Sequence, residues 1–256
     1  MADADPQQVL SRFSPATAAW FTGAFASATQ AQLGAWDAIT RGQNALVIAP
    51  TGSGKTLAAF LAALDQLYRQ TPDDGGTATK VLYISPLKAL GGDVERNLRS
   101  PLIGIRQTAL QQGRSLPELR VGVRSGDTTA RERRALVRTP PDILITTPES
   151  LYLMLTSQAR STLTQVHTVI VDEIHALAGT KRGTHLALSL ERLAALQREA
   201  GRQDEFQRIG LSATVEPADE VARFLGGQRP VTVVRPPSHK QWDLKVCVPV
   251  EQMNAP

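Results

Sequence analysis

Four side chains could act together on a phosphate bond: Lys55, Thr56, Asp172 and Glu173. Lys55 and Thr56 close the stretch Ala49 to Thr56, which reads APTGSGKT. Gly52 and Gly54 let the main chain turn its N–H groups inward, so that Thr51, Gly52, Ser53 and Gly54 can ring a polyphosphate. Lys55 would then reach the outer phosphates, and the Thr56 hydroxyl would hold Mg²⁺. The first position of the pattern is Ala49 where glycine is usual; alanine is tolerated there if its φ is negative. A glycine-rich turn ahead of an ordinary helix is the plainer alternative. It loses because a short apolar run, Ala45 to Ile48, enters the loop and an alanine- and leucine-rich segment, Leu57 to Tyr68, leaves it. That is strand, loop, helix, with the helix dipole adding positive potential where the phosphates would sit.

The two acids stand in the tetrapeptide Asp172-Glu173-Ile174-His175, which follows Val166 to Val171, the most β-branched run in the chain. Two acids at the carboxyl end of a buried strand are costly unless they face a cleft. Open parallel sheets place their ligand sites at that edge. Asp172 is the natural Mg²⁺ partner, through water. Glu173 is placed to orient and activate an attacking water. The Gln32 amide donates and accepts at once, which matches the N6/N7 edge of adenine. Alone it reads as a solvated helix glutamine, and only the nearby phosphate loop gives it weight. The hydroxyls of Ser212 and Thr214 end another short strand and could sense what sits beside Asp172; by themselves they read as a turn. His175 is taken as a polar coupling residue. The four histidines, His167, His175, His185 and His239, have no metal-ligand spacing with a cysteine, so a zinc site is not expected.

The elements that must hold these groups alternate between strand and helix. Ser14-Pro15 predicts a capped helix continuing over Ala16 to Phe25, and a second helix is predicted over Gln30 to Arg41, stopped by Gly42. Val81 to Ser85 reads as a buried strand, followed by a helix that Pro101 breaks or restarts. A surface loop, TPDDGGTAT, precedes that strand. Val121 to Arg124 is a short strand. The helix after it, Thr129 to Val137, carries Arg131, Arg133 and Arg134, read as a solvated face rather than as a nucleic-acid contact. Asp142 to Thr146 is the next strand. Thr147 then caps a helix with Pro148 at its first position, and such an N-terminus either holds a polymer phosphate or is an ordinary capped helix. Gly179 to Gly183 is predicted as a loop and Thr184 to Glu199 as a helix. A strand over Arg208 to Leu211, a helix opened by Pro217, a strand over Val231 to Val234 and a last strand over Leu244 to Val248 complete the expectation.

Composition sets the outer bounds. The chain has 256 residues, of which 42% are apolar and 20% charged. That is an ordinary globular balance. The net charge is 28 − 24 = +4, which permits a nucleic-acid partner without demonstrating one. A single cysteine, Cys247, excludes an internal disulfide framework and suits a reducing cytoplasm, where the chain is expected as a monomer. No apolar run approaches the roughly 20 residues of a membrane span.

In this order the motifs resemble those of the first RecA-like motor domain of superfamily 2 helicases and, more narrowly, of the large helicase-related (Lhr) family. Phe13 and Gln32 look like the adenine-reading Q motif, and Ala49 to Thr56 matches motif I. Ser85 to Leu90 (SPLKAL) matches motif Ia, and Ser125-Gly126-Asp127-Thr128 the motif Ib region. Thr146 to Leu151 matches the next nucleic-acid motif, Asp172 to His175 motif II, and Ser212 to Thr214 motif III. The resemblance implies an α/β fold: a RecA-like three-layer sandwich with a mostly parallel central sheet and helices on both faces. It spans residues 1–256 as one ATP-binding domain, with a helical lead-in over 13–42, a core over 43–235 and a C-terminal strand or linker over 236–256. It implies an ATP- and Mg²⁺-dependent motor that moves 3′ to 5′ along one strand and separates single-stranded or duplex nucleic-acid partners, DNA being favoured. It assigns strand contacts to Ser85, Lys88, Gly126, Asp127, Thr146 and Thr147.

Motifs IV, V and VI, which the family carries on a second RecA-like domain, have no match here. The missing half would supply an arginine finger, worth about 10³–10⁵ in rate in related systems. The chain is therefore expected to be a domain fragment that binds ATP across half a site and does not unwind duplexes alone. A non-hydrolysing scaffold is the alternative from another class, and Glu173 argues against it. A kinase would need a substrate lid and a transporter ATPase a signature glycine-serine loop; neither is visible.

Overall fold

A computed structural model describes residues 5–70, 78–86 and 88–237, with the backbone alone over 88–93. The expectations for most of the loop over 71–79, for the Lys88 side chain, for His239 and Cys247, and for the strand over Leu244 to Val248 fall outside the described residues.

Seven strands form one sheet among the described residues: β1 (Asn44–Ile48), β2 (Val81–Ile84), β3 (Val121–Arg124), β4 (Ile143–Thr146), β5 (Thr168–Val171), β6 (Gln207–Ser212) and β7 (Val231–Val234). Their order is β3-β4-β2-β5-β6-β1-β7, and every pairing is parallel. Parallel neighbours need long crossovers, and helices supply them. The sheet is thus parallel throughout, where a mostly parallel one was expected.

Near-continuous apolar strands signal a sheet covered on both faces, and the period of two divides each strand between two cores. Val81, Tyr83, Ile143 and Ile145 enter one core with α2 (Pro15–Ala24), α3 (Gln30–Ile39), α4 (Lys55–Arg69) and α5 (Lys88–Gln111). Leu82, Ile84 and Leu144 enter the other, with α7 (Pro148–Leu155), α8 (Lys181–Glu199) and α9 (Ala218–Gly226). A short α1 (Pro6–Leu10) precedes α2, and α6 (Ala130–Arg138) lies between β3 and β4. Helix, sheet, helix gives three layers.

Two local expectations change. Proline removes a donor and crowds the preceding turn, yet α5 runs unbroken through Pro101. Val94 and Leu98 before it, and Ile105 and Ala109 after it, are all buried in the same core, so tertiary packing holds both halves in line. Gly104 sets the approach of α2, because a Cβ there would come within 2.1 Å of Trp20 Nε1. The stretch Gly179 to Gly183 is also not all loop. Thr180 accepts from the Gly183 amide at 3.0 Å, capping a helix that begins at Lys181 and so takes in both cations.

Candidate active site

The parallel arrangement brings the carboxyl ends of all strands to one edge. Ile48 pairs with Ser212, and on the other side of β6 Val171 pairs with Gly210. The phosphate loop leaving β1 and the acids leaving β5 therefore flank a single strand, β6.

The loop has the predicted backbone. Gly52 and Gly54 adopt φ of +81° and +80°, in the left-handed region that favours glycine. Gly54 has a second reason to lack a side chain: a Cβ would lie 2.5 Å from Gln32 Nε2. Lys55 is buried, and its Nζ donates to the carbonyls of Ala49 at 2.6 Å and Pro50 at 3.0 Å. Burial pulls its pKa down, opposed by the two acids. The ammonium thus rests on the loop's own carbonyls, where a phosphate would compete for it. Ser53 Oγ is buried with no hydrogen-bond partner in the same loop. A buried hydroxyl without a partner is what a phosphate oxygen would satisfy.

Gln32 is only 4% exposed and is tied to the loop by a capping box. Its Oε1 accepts from the Thr29 amide at 2.9 Å, and the Thr29 hydroxyl donates to Ser53 O at 2.8 Å. The two-sided adenine contact expected of Gln32 would use its Nε2 and the second lone pair of that carbonyl. Phe13 is buried edge-on against Trp36 at 5.3 Å, so its ring serves the core. Trp36 Nε1 donates to Ala58 O at 3.0 Å and fixes α3 on α4.

Asp172 is 8% exposed, and both its oxygens are engaged. Oδ1 accepts from the Glu173 amide at 2.9 Å, and Oδ2 accepts a short bond from the Tyr83 hydroxyl. Tyr83 was missed by the sequence reading; a tyrosine among aliphatic residues in a buried strand needs a partner for its hydroxyl, and that was the available signal. Glu173 has φ +46°, the one positive value at a non-glycine among the described residues. Its Oε2 lies 3.4 Å from His175 Nδ1, which also lies 3.2 Å from Ser212 Oγ. His175 thus lies within hydrogen-bond distance of Ser212, a pairing the sequence reading did not make. Thr214 is exposed, and no hydrogen bond links it to them among the described residues.

The residues assigned to a strand track gather on the other half of the edge. Ile84 and Arg124 both align with Thr146. The Ser85 amide donates to Thr146 O at 2.9 Å, and Thr146 Oγ1 donates to Arg124 O at 2.8 Å. Thr147 caps α7 by accepting from Ser150 N at 3.3 Å. The hydroxyls of Thr146 and Thr147 thus both make hydrogen bonds within the chain. Gly126 and Asp127 form a turn in which Asp127 N donates to Ser125 Oγ at 3.2 Å. Glu149, in the first turn of α7, pairs with Arg182, whose Nη2 lies 3.0 Å from Glu149 Oε2.

For a divalent ion, the expected donors, Asp172 and the Thr56 hydroxyl, offer oxygen only. Among the described residues no group of three His, Cys, Asp or Glu side chains converges. That sparse set fits Mg²⁺, which keeps waters and phosphate oxygens, and does not fit an all-protein cage. No helix among the described residues is long and apolar enough to cross a membrane.

Comparison with known proteins agrees with this layout. The Lhr helicase/probable uracil glycosylase of Mycolicibacterium smegmatis is 62% identical over 98% of this chain, which spans 16% of that protein. The Escherichia coli Lhr helicase/uracil glycosylase is 58% identical, again over 98% of this chain and 16% of its own length. The structure of Mycobacterium smegmatis helicase Lhr bound to ssDNA and AMP-PNP superposes with a TM-score of 0.86, covering 94% of this chain and 30% of that one. This chain therefore spans about a sixth of the length of those two relatives. A family model for DEAD/DEAH box helicases matches residues 29–222, from the capping residue of α3 into α9, and the chain belongs to the DEAD/DEAH box helicase family.

Proposed function

We propose that this chain is the ATP-binding half of an Lhr-like helicase motor: one RecA-like unit that hydrolyses ATP when a second such unit closes the site. The observation that carries the reading is that β1 and β5 both flank β6, so the phosphate loop and the two acids leave the same edge of the sheet one strand apart. In it, Lys55 leaves the carbonyls of Ala49 and Pro50 for the outer phosphates, and the amides of Thr51 to Gly54 cradle the rest. Asp172 and Thr56 would hold Mg²⁺, which supplies charge neutralisation at the phosphates when bound. Glu173 takes the proton of the attacking water, and His175 with Ser212 reports the state of that carboxylate to β6. Ser85, Lys88, Gly126, Asp127, Thr146 and Thr147 line the strand track. The likeness to a structure bound to ssDNA supports single-stranded DNA as the polymer; 3′ to 5′ movement by a cytoplasmic monomer belongs to the same proposal.

Binding of a fluorescent ATP analogue to the wild type and to Lys55→Ala tests the loop. One lost charge-assisted contact is worth about 1.5–3 kcal/mol, so affinity should fall roughly ten- to a hundredfold. Equal binding by the two proteins removes the phosphate role. Mixing the chain with a second RecA-like unit should then give hydrolysis stimulated by single strands. Absence of hydrolysis alongside intact binding would favour a non-hydrolysing scaffold.

A further inference from the structure

The arginines of α6 read as a solvated face from sequence, but one of them is bonded to the turn that follows a second, buried arginine. Arg124 ends β3 and is 8% exposed. Its guanidinium has no hydrogen bond and no ion pair among the described residues. Arg133 donates from Nη2 to Gly126 O at 3.0 Å, two residues beyond Arg124, and its Nε is buried with no partner. Burial, and after it the repulsion between the two cations, lowers the Arg124 pKa. Nearby acids are spent elsewhere: Glu132 accepts from Thr129 at 2.8 Å and Glu149 pairs with Arg182. Asp127 also has a partner of its own.

A buried charge is costly unless it is paired, and a second cation beside it adds to the cost. The missing component is an anion with several oxygens. A guanidinium fork matches a phosphate by two parallel hydrogen bonds. The position selects which phosphate. The β3 end lies five strands away from the β1 end in the sheet order. At the usual interstrand distance that is about 24 Å, so the nucleotide's own phosphates cannot reach it. Thr146 and Ser85 lie next to it instead: Thr146 Oγ1 bonds to Arg124 O and Ser85 N to Thr146 O.

We propose that Arg124 and Arg133 form a phosphodiester-binding pair at the β3 end of the nucleic-acid track. This rests on the reading of that edge as a single-strand path, and it adds two residues which that reading did not include. Arg133, oriented by its bond to Gly126 O, and Arg124, at the end of β3, would each offer guanidinium hydrogens to the phosphodiester.

The test is anisotropy of labelled oligothymidylate binding over a salt series, with wild type, Arg124→Gln, Arg133→Gln and Arg134→Gln. Each lost phosphate contact should make the log–log salt slope shallower by about 0.7. That loss is expected for Arg124→Gln and Arg133→Gln. It is not expected for Arg134→Gln, which removes the same charge from an exposed position on the same helix. Affinity for the ATP analogue should stay unchanged in all three. Should Arg124→Gln fail to fold, Arg133→Gln and Arg124→Lys, which keeps the charge but loses the fork, carry the comparison. Wild-type slopes in the Arg133 and Arg124 variants, or an equal loss in Arg134→Gln, overturn the pair and leave the strand track standing. Absence of strand binding by the wild type overturns both. Release of the strand by millimolar inorganic phosphate at matched ionic strength would make this a free-anion site and overturn the assignment to a phosphodiester.

Discussion

The Tyr83 hydroxyl donates to Asp172 Oδ2 from the neighbouring strand, while the Glu173 amide donates to Oδ1 at 2.9 Å. Burial, and after it the negative charge of Asp172, push the phenol pKa far upward, so the proton stays on oxygen and the donation persists at any working pH. Tyr83 in turn stacks on Phe60 at 4.9 Å, and Phe60 lies in α4, the helix that leaves the phosphate loop. One aromatic pair therefore connects the phosphate-loop helix to the expected metal partner. Tyr83→Phe keeps the stack and removes the bond. It should cost about 1–2 kcal/mol of stability, since an acceptor is left unsatisfied. It should also weaken ATP-analogue binding severalfold with Mg²⁺ and little with EDTA. An equal loss under both conditions would mean that Tyr83 supports packing alone.

Glu173 occupies a left-handed backbone conformation. A residue with a side chain enters that region only at a cost, about 1–2 kcal/mol. The chain accepts that cost where the carboxylate lies 3.4 Å from His175 Nδ1. Glu173→Gly should therefore raise the melting temperature and abolish hydrolysis at once. Glu173→Gln should keep the strain and the ATP-analogue affinity, and lower single-strand-stimulated hydrolysis by about 10²–10⁴. A glycine variant no more stable than the wild type would show that the backbone is not strained at this position.

Gly54 faces two constraints, and the neighbouring glycine only one. Both have positive φ, but a Cβ on Gly52 would meet open space and a Cβ on Gly54 would meet the Gln32 amide at 2.5 Å. Gly52→Ala should thus cost the backbone penalty alone, about 1 kcal/mol. Gly54→Ala should cost more and should also disturb the capping box that starts α3. Thermal melts of the two variants decide this; equal losses would mean that Gln32 moves aside freely.

Much of this site was legible because each motif lies at the end of an apolar run. Ala45 to Ile48 and Val166 to Val171 mark strands, and whatever follows a parallel strand emerges at the ligand edge. The sequence also carried the caps of α2 and α7, since Ser14 and Thr147 each precede a proline at the first helical position. What it hid were relations set by packing. Pro101 signals a break, and four buried neighbours override it. Gln32 also closes a capping box with Thr29, a pairing the sequence reading did not make. Thr180 is a cap signal obscured by the two glycines around it. Arg124 looks like the polar end of a strand, and only the fold shows that it is covered. Pairings such as Tyr83 with Asp172 join residues far apart in the chain, where periodicity carries no information.

His167 lies at the amino end of β5, away from the chemistry, and gives the fold a pH dependence of its own. Burial, with Arg202 and Lys80 adding repulsion, lowers its pKa to about 4. Nδ1 lies 3.0 Å from Thr168 Oγ1, and Nε2 is buried with no partner, so protonation would leave an unsatisfied cationic donor. The unfolded chain takes up this proton near pH 6.5 and the folded chain only near 4. In that window the unfolded state binds more protons, so stability rises with pH. The contribution is fully present above about 6.5 and is lost as pH falls toward 4; it amounts to at most about 3 kcal/mol. Urea midpoints measured from pH 7 to pH 4 should fall, and His167→Gln should flatten the part of the decline between 6.5 and 4. A variant whose midpoints track the wild type across that interval would assign the acid sensitivity to other groups.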